Sequence, residues 1–278
     1  MANTRTTAPV FPPIALVVAL AVALAACKPE AAAPVAAQPD APAAQAVPEA
    51  PPVLKDEIEQ NERYVVGISY PPTINRHPGL ARAIAAYVAE ERAGLMQAVE
   101  AIGNDKPRAP YELSLGFEQV AATPQWIVIA ADGSRYTGGV HGEPLVARFV
   151  WLPDQEKLLT ADELIPSAEG WLAVSGYVRE QLHTQVSVRA DADEMSPEDR
   201  AEFVRDTNRM IDAGTEPDAD SFRQFQPVLG ADGKATALRF VFPPYQVGPY
   251  SDGTQSVDVP LEVLRSYLAP EYAGLFGQ

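Results

Sequence analysis

The chain of 278 residues contains one cysteine, Cys27, and the position of this residue limits how the rest of the chain can fold. Cys27 closes the sequence Leu24-Ala25-Ala26-Cys27, which follows an uncharged apolar run over residues 11–26 and a basic residue at Arg5. This order is typical of a secretory signal peptide of the bacterial lipoprotein type, here residues 1–27. A run of 16 residues is also shorter than the roughly 20 that a membrane-spanning helix needs. We therefore predict a lipid on Cys27 and a folded body without disulfide bonds.

The predicted signal peptide gives the protein an expected location in the cell envelope, anchored to a membrane through the lipid on Cys27. The residue after the cysteine is Lys28 and not aspartate. In lipoproteins of the Gram-negative type an aspartate at this position often signals retention in the inner membrane. The sequence thus favours the periplasmic face of the outer membrane.

Residues 28–52 form a segment that we expect to be a disordered linker. Ten of its 25 residues are alanine and seven are proline. Proline at this density prevents a continuous helix and favours extended polyproline II structure. At about 3.1 Å per residue the linker could hold the body up to roughly 80 Å from the membrane. We assign it no function other than reach.

The charge of the chain excludes some classes of partner. Without residues 1–27 it has 20 Lys and Arg against 37 Asp and Glu, a formal charge of −17. Such a surface repels the phosphates of nucleic acids, so we expect no nucleic-acid partner. It attracts basic proteins and raises the rate at which they meet it.

The pattern of apolar residues after residue 52 predicts an α+β fold, with an antiparallel sheet packed against helices. The predicted order is a strand over 62–70, a long helix over 77–102, strands at 111–120, 125–131 and 145–152, helices at 170–186 and after Ser196, a hairpin over 222–242, a strand at 255–259 and a short helix to 268. We expect turns at Thr123-Pro124, Asp132-Gly133 and Gly138-Gly139.

The first candidate site is the segment from Tyr136 to Gly142, which contains Gly138, Gly139 and His141. Glycine amides and an imidazole at one point could form an oxyanion site. The alternative is a tight turn between two strands, with His141 bound to the backbone. Because no nucleophile lies at a recognisable spacing, the turn is the favoured interpretation.

The second candidate site runs from Phe242 to Gly253. It contains three prolines and two tyrosines. Its motif residues are Tyr245, Gly248, Tyr250, Asp252 and Gly253. Tyrosines on a stiff loop suit contact with a protein or a sugar ring. The alternative is a fixed loop that its tyrosines pin to the sheet, and the sequence leaves both interpretations open.

The remaining sequence signals predict neither a metal site nor a catalytic residue. The three histidines His77, His141 and His183 lie far apart, without the spacing of metal ligands. A calcium-loop pattern that starts at Asp191 fails because Ser196 stands where glycine is required. We therefore expect no cofactor, no metal and no enzymatic activity.

The two candidate sites together resemble the PdaC/RsiV-like extracytoplasmic domain. Its Tyr-x-Gly-Gly-x-His pattern is similar to Tyr136–His141, and its Phe-x-x-Tyr-x-x-Gly-x-Tyr-x-x-Gly pattern is similar to Phe242–Gly253. The resemblance covers about residues 53–270, which we divide into an N-terminal half, 53–142, and a C-terminal half, 143–278. It implies the α+β fold described above.

What the resemblance implies for function is narrower. PdaC-type proteins carry a separate polysaccharide deacetylase domain with metal-binding Asp and His motifs, for which this chain has no room. RsiV-type proteins are anti-sigma factors whose extracellular part binds lysozyme, but they need a membrane helix and a cytoplasmic segment. The expectation is therefore a non-enzymatic envelope lipoprotein that binds a protein, with lysozyme as the sharpest case, or a cell-wall ligand. A peptidoglycan-binding module, a hydrolase that uses His141 as a base, and a purely structural role remain alternatives.

Overall fold

The computed structural model describes residues 50–277, so Cys27 and most of the predicted linker lie outside the described residues. Nine strands and five α-helices are found in this part of the chain. The strands are β1 Glu57–Gln60, β2 Tyr64–Ser69, β3 Tyr111–Ala122, β4 Ile127–Tyr136, β5 Glu143–Leu152, β6 Lys157–Leu158, β7 Phe225–Leu229, β8 Ala235–Phe242 and β9 Gln255–Pro260. The helices are α1 Pro78–Ala101, α2 Ala161–Leu164, α3 Ala168–Ala192, α4 Pro197–Gly214 and α5 Leu261–Leu264.

Strands β1 to β6 form one sheet in sequence order, and helix α1 packs on one of its faces. All neighbouring strands are antiparallel except β2 and β3, which are parallel. Helix α1 is the reason, because it carries the chain back along the sheet before β3 begins. Its buried residues recur at three- and four-residue steps and include Leu80, Ile84, Val88, Leu95 and Val99. The chain therefore contains one β-α-β crossover within a mostly antiparallel sheet.

Strands β7, β8 and β9 form a second, antiparallel sheet that shares a core with α3 and α5. Helix α4 packs along α3 and begins as the sequence predicts. Pro197 occupies its first turn, and the Ser196 hydroxyl accepts a hydrogen bond from the Asp199 amide at 3.2 Å. This contact satisfies one of the amides that a helix start leaves without a partner.

Strands β4 and β5 belong to both hydrophobic cores. Ile127, Ile129 and Ala131 face the core under α1, whereas Val128 and the preceding Trp126 face the core of the second sheet. Successive side chains of a strand point to opposite faces, so a fully buried strand reads as a continuous apolar run. The two cores therefore share a common wall.

The structure confirms the predicted α+β class and corrects one predicted turn. Asp132 and Gly133 lie inside β4, so the turn at this position is wrong. Gly133 serves a different purpose, because a methyl group at its Cα would lie 1.9 Å from the Ser114 carbonyl oxygen of β3. The division of the body at residues 142 and 143 falls between β4 and β5, which are neighbours in one sheet. None of the helices within residues 50–277 is long and apolar enough to cross a membrane.

Candidate functional site

The two sequence motifs, far apart in the chain, meet at one place on the surface. The loop after β4 carries His141, and the loop between β8 and β9 carries Tyr245 and Tyr250. The rings of His141 and Tyr250 stack with centroids 4.6 Å apart and planes at 15°. The rings of Tyr245 and Tyr250 lie 5.5 Å apart at 40°. We refer to His141, Tyr245 and Tyr250 as the aromatic cluster.

The aromatic cluster is open to solvent. Tyr245 is 56% exposed and Tyr250 is 36% exposed, and His141 is exposed as well. Val140, which precedes His141, is 89% exposed. Large aromatic rings usually bury most of their surface, so ordered rings that remain accessible are available for contact with another molecule.

The loop that carries His141 is closed by its own residues. Gly138 and Gly139 adopt φ values of +102° and +98°, which side chains other than glycine rarely tolerate. The Tyr136 hydroxyl donates a hydrogen bond to the Gly139 carbonyl at 3.3 Å. The glycines of this motif thus provide a turn that brings His141 onto Tyr250.

Arg135 joins both ends of this loop to helix α1. Its guanidinium donates to Glu91 of α1 at 2.8 Å and to Glu143 at the start of β5 at 2.5 Å. The side chains of Arg135 and Glu91 are only 20% and 15% exposed. Burial raises the pKa of Glu91, and the charge of Arg135 opposes that rise. Arg135 therefore positions the loop and does not belong to the exposed surface.

The second loop is anchored by residues other than its tyrosines. Val247 is buried, and the Gln246 side chain donates to the carbonyls of Gly214 and Ser221, each at 2.8 Å. Asp252, whose side chain is 9% exposed, forms an ion pair with Arg189 of α3, with 2.8 Å between Nη1 and Oδ1. The structure thus shows a fixed loop, but one whose tyrosines point into solvent instead of pinning it to the sheet.

Tyr245 has an unusual backbone conformation. Its φ is +74°, and its amide donates to the Gly248 carbonyl at 3.0 Å. Gly253 also has a positive φ, at +66°, and a methyl group on Gly248 would lie 3.2 Å from Asp252 Oδ2. A bulky residue in the left-handed region costs about 1–2 kcal/mol. Such residues persist where the surrounding structure fixes them, and they are frequent at binding and active sites.

A cleft of about 810 Å³ begins beside the aromatic cluster. Its lining includes Glu143, which is two positions after His141, and Pro243, which is two positions before Tyr245. It is lined by residues of β5, by α1 on one side, and by the segments 158–162 and 218–224. Six carboxylates and two arginines line it: Glu90, Glu91, Glu143, Asp162, Asp218, Asp220, Arg148 and Arg223. The cleft is therefore acidic.

The geometry assigns His141 to stacking. Its ring lies on Tyr250, and no hydrogen bond links it to a serine, threonine or tyrosine hydroxyl in the described part of the chain. Over residues 50–277, no group of three or more His, Cys, Asp and Glu side chains is arranged to hold a metal ion.

The sequence identified both loops but missed the residues that hold them. Apart from Tyr136, which is the last residue of β4, each predicted motif residue of the body lies in one of the two loops, and Cys27 lies outside the described residues. Arg135, Glu91 and Arg189 were missed because their partners are distant in sequence. Gln246 and Val247 lie within the Phe242–Gly253 motif, but their anchoring contacts are with residues distant in sequence.

Comparisons with known proteins match the two halves of this arrangement. The family described as Deacetylase PdaC matches residues 57–143, and the protein family of unknown function DUF3298 matches residues 173–262. No curated protein matches the chain. A DUF3298 family protein from Pseudomonas aeruginosa PAO1 is 17% identical over 81% of this chain and 94% of its own, with a TM-score of 0.49. A member of the same family from Bacteroides fragilis is 14% identical over 78% of this chain and 92% of its own, also with a TM-score of 0.49.

The two family matches each contain one of the motifs. Tyr136–His141 lies in the first match and Phe242–Gly253 lies in the second, so the aromatic cluster forms where the two matched segments touch. The chain therefore carries a PdaC/RsiV-like module, in which a PdaC segment is followed by a DUF3298 segment.

Proposed function

We propose that this module is a non-enzymatic binding domain of the cell envelope and that the aromatic cluster is part of its contact surface. The observation that carries the proposal is the stacking of His141 on Tyr250, which brings both motifs into one exposed surface. Both loops are held by residues other than the three rings, namely Arg135, Gln246 and Asp252. A surface that is ordered before binding loses little conformational entropy when a partner arrives.

A basic protein is the partner that the charge favours, and lysozyme is the sharpest candidate. The chain without residues 1–27 has a formal charge of −17, and the cleft beside the aromatic cluster is acidic. Opposite charge raises the association rate, and salt screens this attraction over about 10 Å at 0.1 M ionic strength. Tyrosines are also among the side chains that contribute most to protein interfaces.

Titration calorimetry of the chain without its predicted signal peptide, residues 28–278, with a basic lysozyme at two salt concentrations tests the proposal. We expect saturable binding that weakens with salt. Tyr250→Ala should weaken it by about tenfold or more, since it removes a ring at the centre of the cluster. Leu172→Ala, at a residue of α3 that is 61% exposed, is the matched control and should bind as the wild type does.

Two results would contradict this proposal. Absence of heat at both salt concentrations would remove lysozyme as the partner. If the Tyr245→Ala and Tyr250→Ala proteins remain folded and bind as tightly as the wild type, the aromatic cluster is not the contact surface.

Peptidoglycan is the second candidate ligand, because exposed tyrosine rings can also stack on sugar rings. It would be favoured if the folded body sediments with purified sacculi and gives no heat with lysozyme. The proposed absence of catalysis has its own test, which is incubation of the protein with acetylated peptidoglycan fragments. Release of acetate that His141→Ala abolishes, with the fold preserved, would overturn the non-enzymatic assignment.

A further inference from the structure

One edge of strand β5 is unpaired along most of its length. Its other edge pairs with β4 from Glu143 to Trp151. On the free side, β6 pairs only with Trp151 and Leu152. Residues 143–149 of β5 all line the acidic cleft, which means that the cleft follows this edge. A free strand edge presents backbone donors and acceptors that can pair with another chain.

The hydrogen bonds that exist at this edge show which residues face the cleft. The Arg148 amide donates to Gln224 Oε1 at 2.7 Å, and the Val150 carbonyl accepts from the Leu159 amide at 2.8 Å. Both partners lie on the side opposite β4. Alternate residues of an antiparallel strand direct their backbone groups to the same side, so the N–H and C=O of Val146 also face the cleft. In the described part of the chain no partner on that side binds them.

The walls of the cleft select the charge of an occupant. Four of its carboxylates, on Glu90, Asp162, Asp218 and Asp220, form no ion pair within residues 50–277. Arg148 is already paired with Asp132 at 3.1 Å. The lining between these charges includes Leu145, Ala147 and Phe149, whose side chains are largely buried in the core under α1. An occupant with basic groups at its edges and an extended backbone in the middle would satisfy both features.

We propose that the free edge of β5 accepts an extended, basic segment of a polypeptide partner as an added strand. In this arrangement the segment pairs with the backbone of Val146, and its carbonyl takes the place that Gln224 Oε1 now holds at the Arg148 amide. Its lysine or arginine side chains reach the carboxylates of the two walls. Main-chain hydrogen bonds supply affinity in strand addition, and the flanking side chains supply specificity.

The proposal goes beyond the function proposed above because it assigns a second surface and requires neither lysozyme nor the aromatic cluster. It also separates two classes of partner. Peptidoglycan stem peptides carry free carboxylates, which the unpaired acids of the cleft would repel. A glycan strand, in turn, lacks the regular amide spacing that pairing with a strand needs.

The test uses the chain without its predicted signal peptide, residues 28–278, and a blocked hexapeptide of alternating lysine and threonine. We expect saturable binding in calorimetry, with the amide signal of Val146 shifted in NMR spectra and its hydrogen exchange slowed by about tenfold. The same peptide with N-methyl groups on its amides keeps its charge but cannot pair as a strand, so its binding should be lost. A hexapeptide of glutamate and threonine should not bind.

Two variants and a control with an equal change of charge place the contact on the protein. Asp218→Asn with Asp220→Asn should weaken binding of the lysine peptide by about tenfold, since two charged contacts are lost while the Asp218 turn keeps its acceptor. Glu118→Gln with Glu202→Gln changes the net charge equally at exposed positions outside the cleft and should not weaken binding beyond twofold or so. Val146→Pro removes the N–H donor at this edge, where proline is tolerated, and should therefore also weaken binding of the lysine peptide.

Three outcomes would overturn this inference. Equal weakening by the two charge variants would show attraction by the whole acidic surface and not by the cleft. Undiminished binding of the N-methylated peptide would exclude strand addition. A shift of the Val146 signal by peptidoglycan fragments, without one by the lysine peptide, would assign the cleft to a different partner class. None of these results depends on Tyr245 or Tyr250, so they are distinct from failure of the aromatic-cluster proposal.

Discussion

At the scale of single residues, the site depends on conformations that only its surroundings make acceptable. Tyr245 keeps φ at +74°, although its ring is largely in solvent and gains little from burial. Its backbone is held by the hydrogen bond to Gly248 and by the anchor at Gln246. Strain of this kind is stored where a side chain must point in a particular direction.

The strain at Tyr245 can be measured with two substitutions that remove the same ring. Glycine adopts a positive φ freely, whereas alanine does not. We expect the Tyr245→Gly protein to be more stable than the Tyr245→Ala protein by about 1 kcal/mol. Urea unfolding of both proteins measures the difference, and a less stable glycine variant would show that φ at this residue carries no strain.

The ion pair between Arg135 and Glu91 predicts a dependence of stability on pH. Burial raises the pKa of Glu91 above its usual value of 4.5. Because the folded state then holds this proton more tightly than the unfolded state, stability declines as pH rises from the unfolded pKa through the folded pKa. Arg135→Gln removes the charge that opposes this rise. We therefore expect the decline to extend to higher pH and stability at neutral pH to fall by about 2 kcal/mol.

Urea unfolding between pH 4 and pH 8 or so checks this expectation, with the Arg135→Gln and Glu91→Gln double variant as the control. The double variant has no carboxylate at position 91. Its stability should therefore not show the further decline with rising pH that we expect for Arg135→Gln alone. An identical pH profile for the single and double variants would exclude Glu91 as the titrating group.

At the scale of secondary structure elements, strand β4 depends on a close approach to β3. Gly133 pairs with Leu115, and no side chain fits at this point because the Ser114 carbonyl lies in the way. Gly116 of β3 has no such restriction, since a methyl group there would be 3.7 Å from its nearest neighbour, the Asp132 carbonyl oxygen. Two glycines of adjoining strands therefore have different roles.

Alanine substitutions at these two glycines should separate the roles. Gly133→Ala forces β3 and β4 apart, and we expect a loss of about 3 kcal/mol. Gly116→Ala makes ordinary contacts and should change the unfolding free energy by about 0.5 kcal/mol or less. Thermal and urea unfolding of the pair measure the contrast. Similar values for the two variants would show that the sheet adjusts to a side chain at Gly133.

At the scale of the whole molecule, the predicted lipid on Cys27 decides where both surfaces act. We expect the protein from bacterial membranes to carry the mass of a diacylglyceryl group on Cys27 and to partition into detergent. Cys27→Ser should remove both properties and leave the fold of the body unchanged, because Cys27 precedes both cores. Mass spectrometry of the two proteins is the measurement. An unmodified Cys27 in the wild type would contradict the lipoprotein assignment.

The sequence alone determined the class of the fold, the long helix α1, the start of α4 at Ser196 and the two loops of the site. These features follow from local signals: apolar periodicity, capping residues, and glycine and proline at turns. Only the tertiary structure decided that β2 and β3 are parallel, that β4 continues through Asp132 and Gly133, and that β5 leaves one edge free. It also decided that His141 stacks on Tyr250, 109 positions away. Strand pairing and ring contacts join distant residues, and no local pattern encodes which distant partners meet.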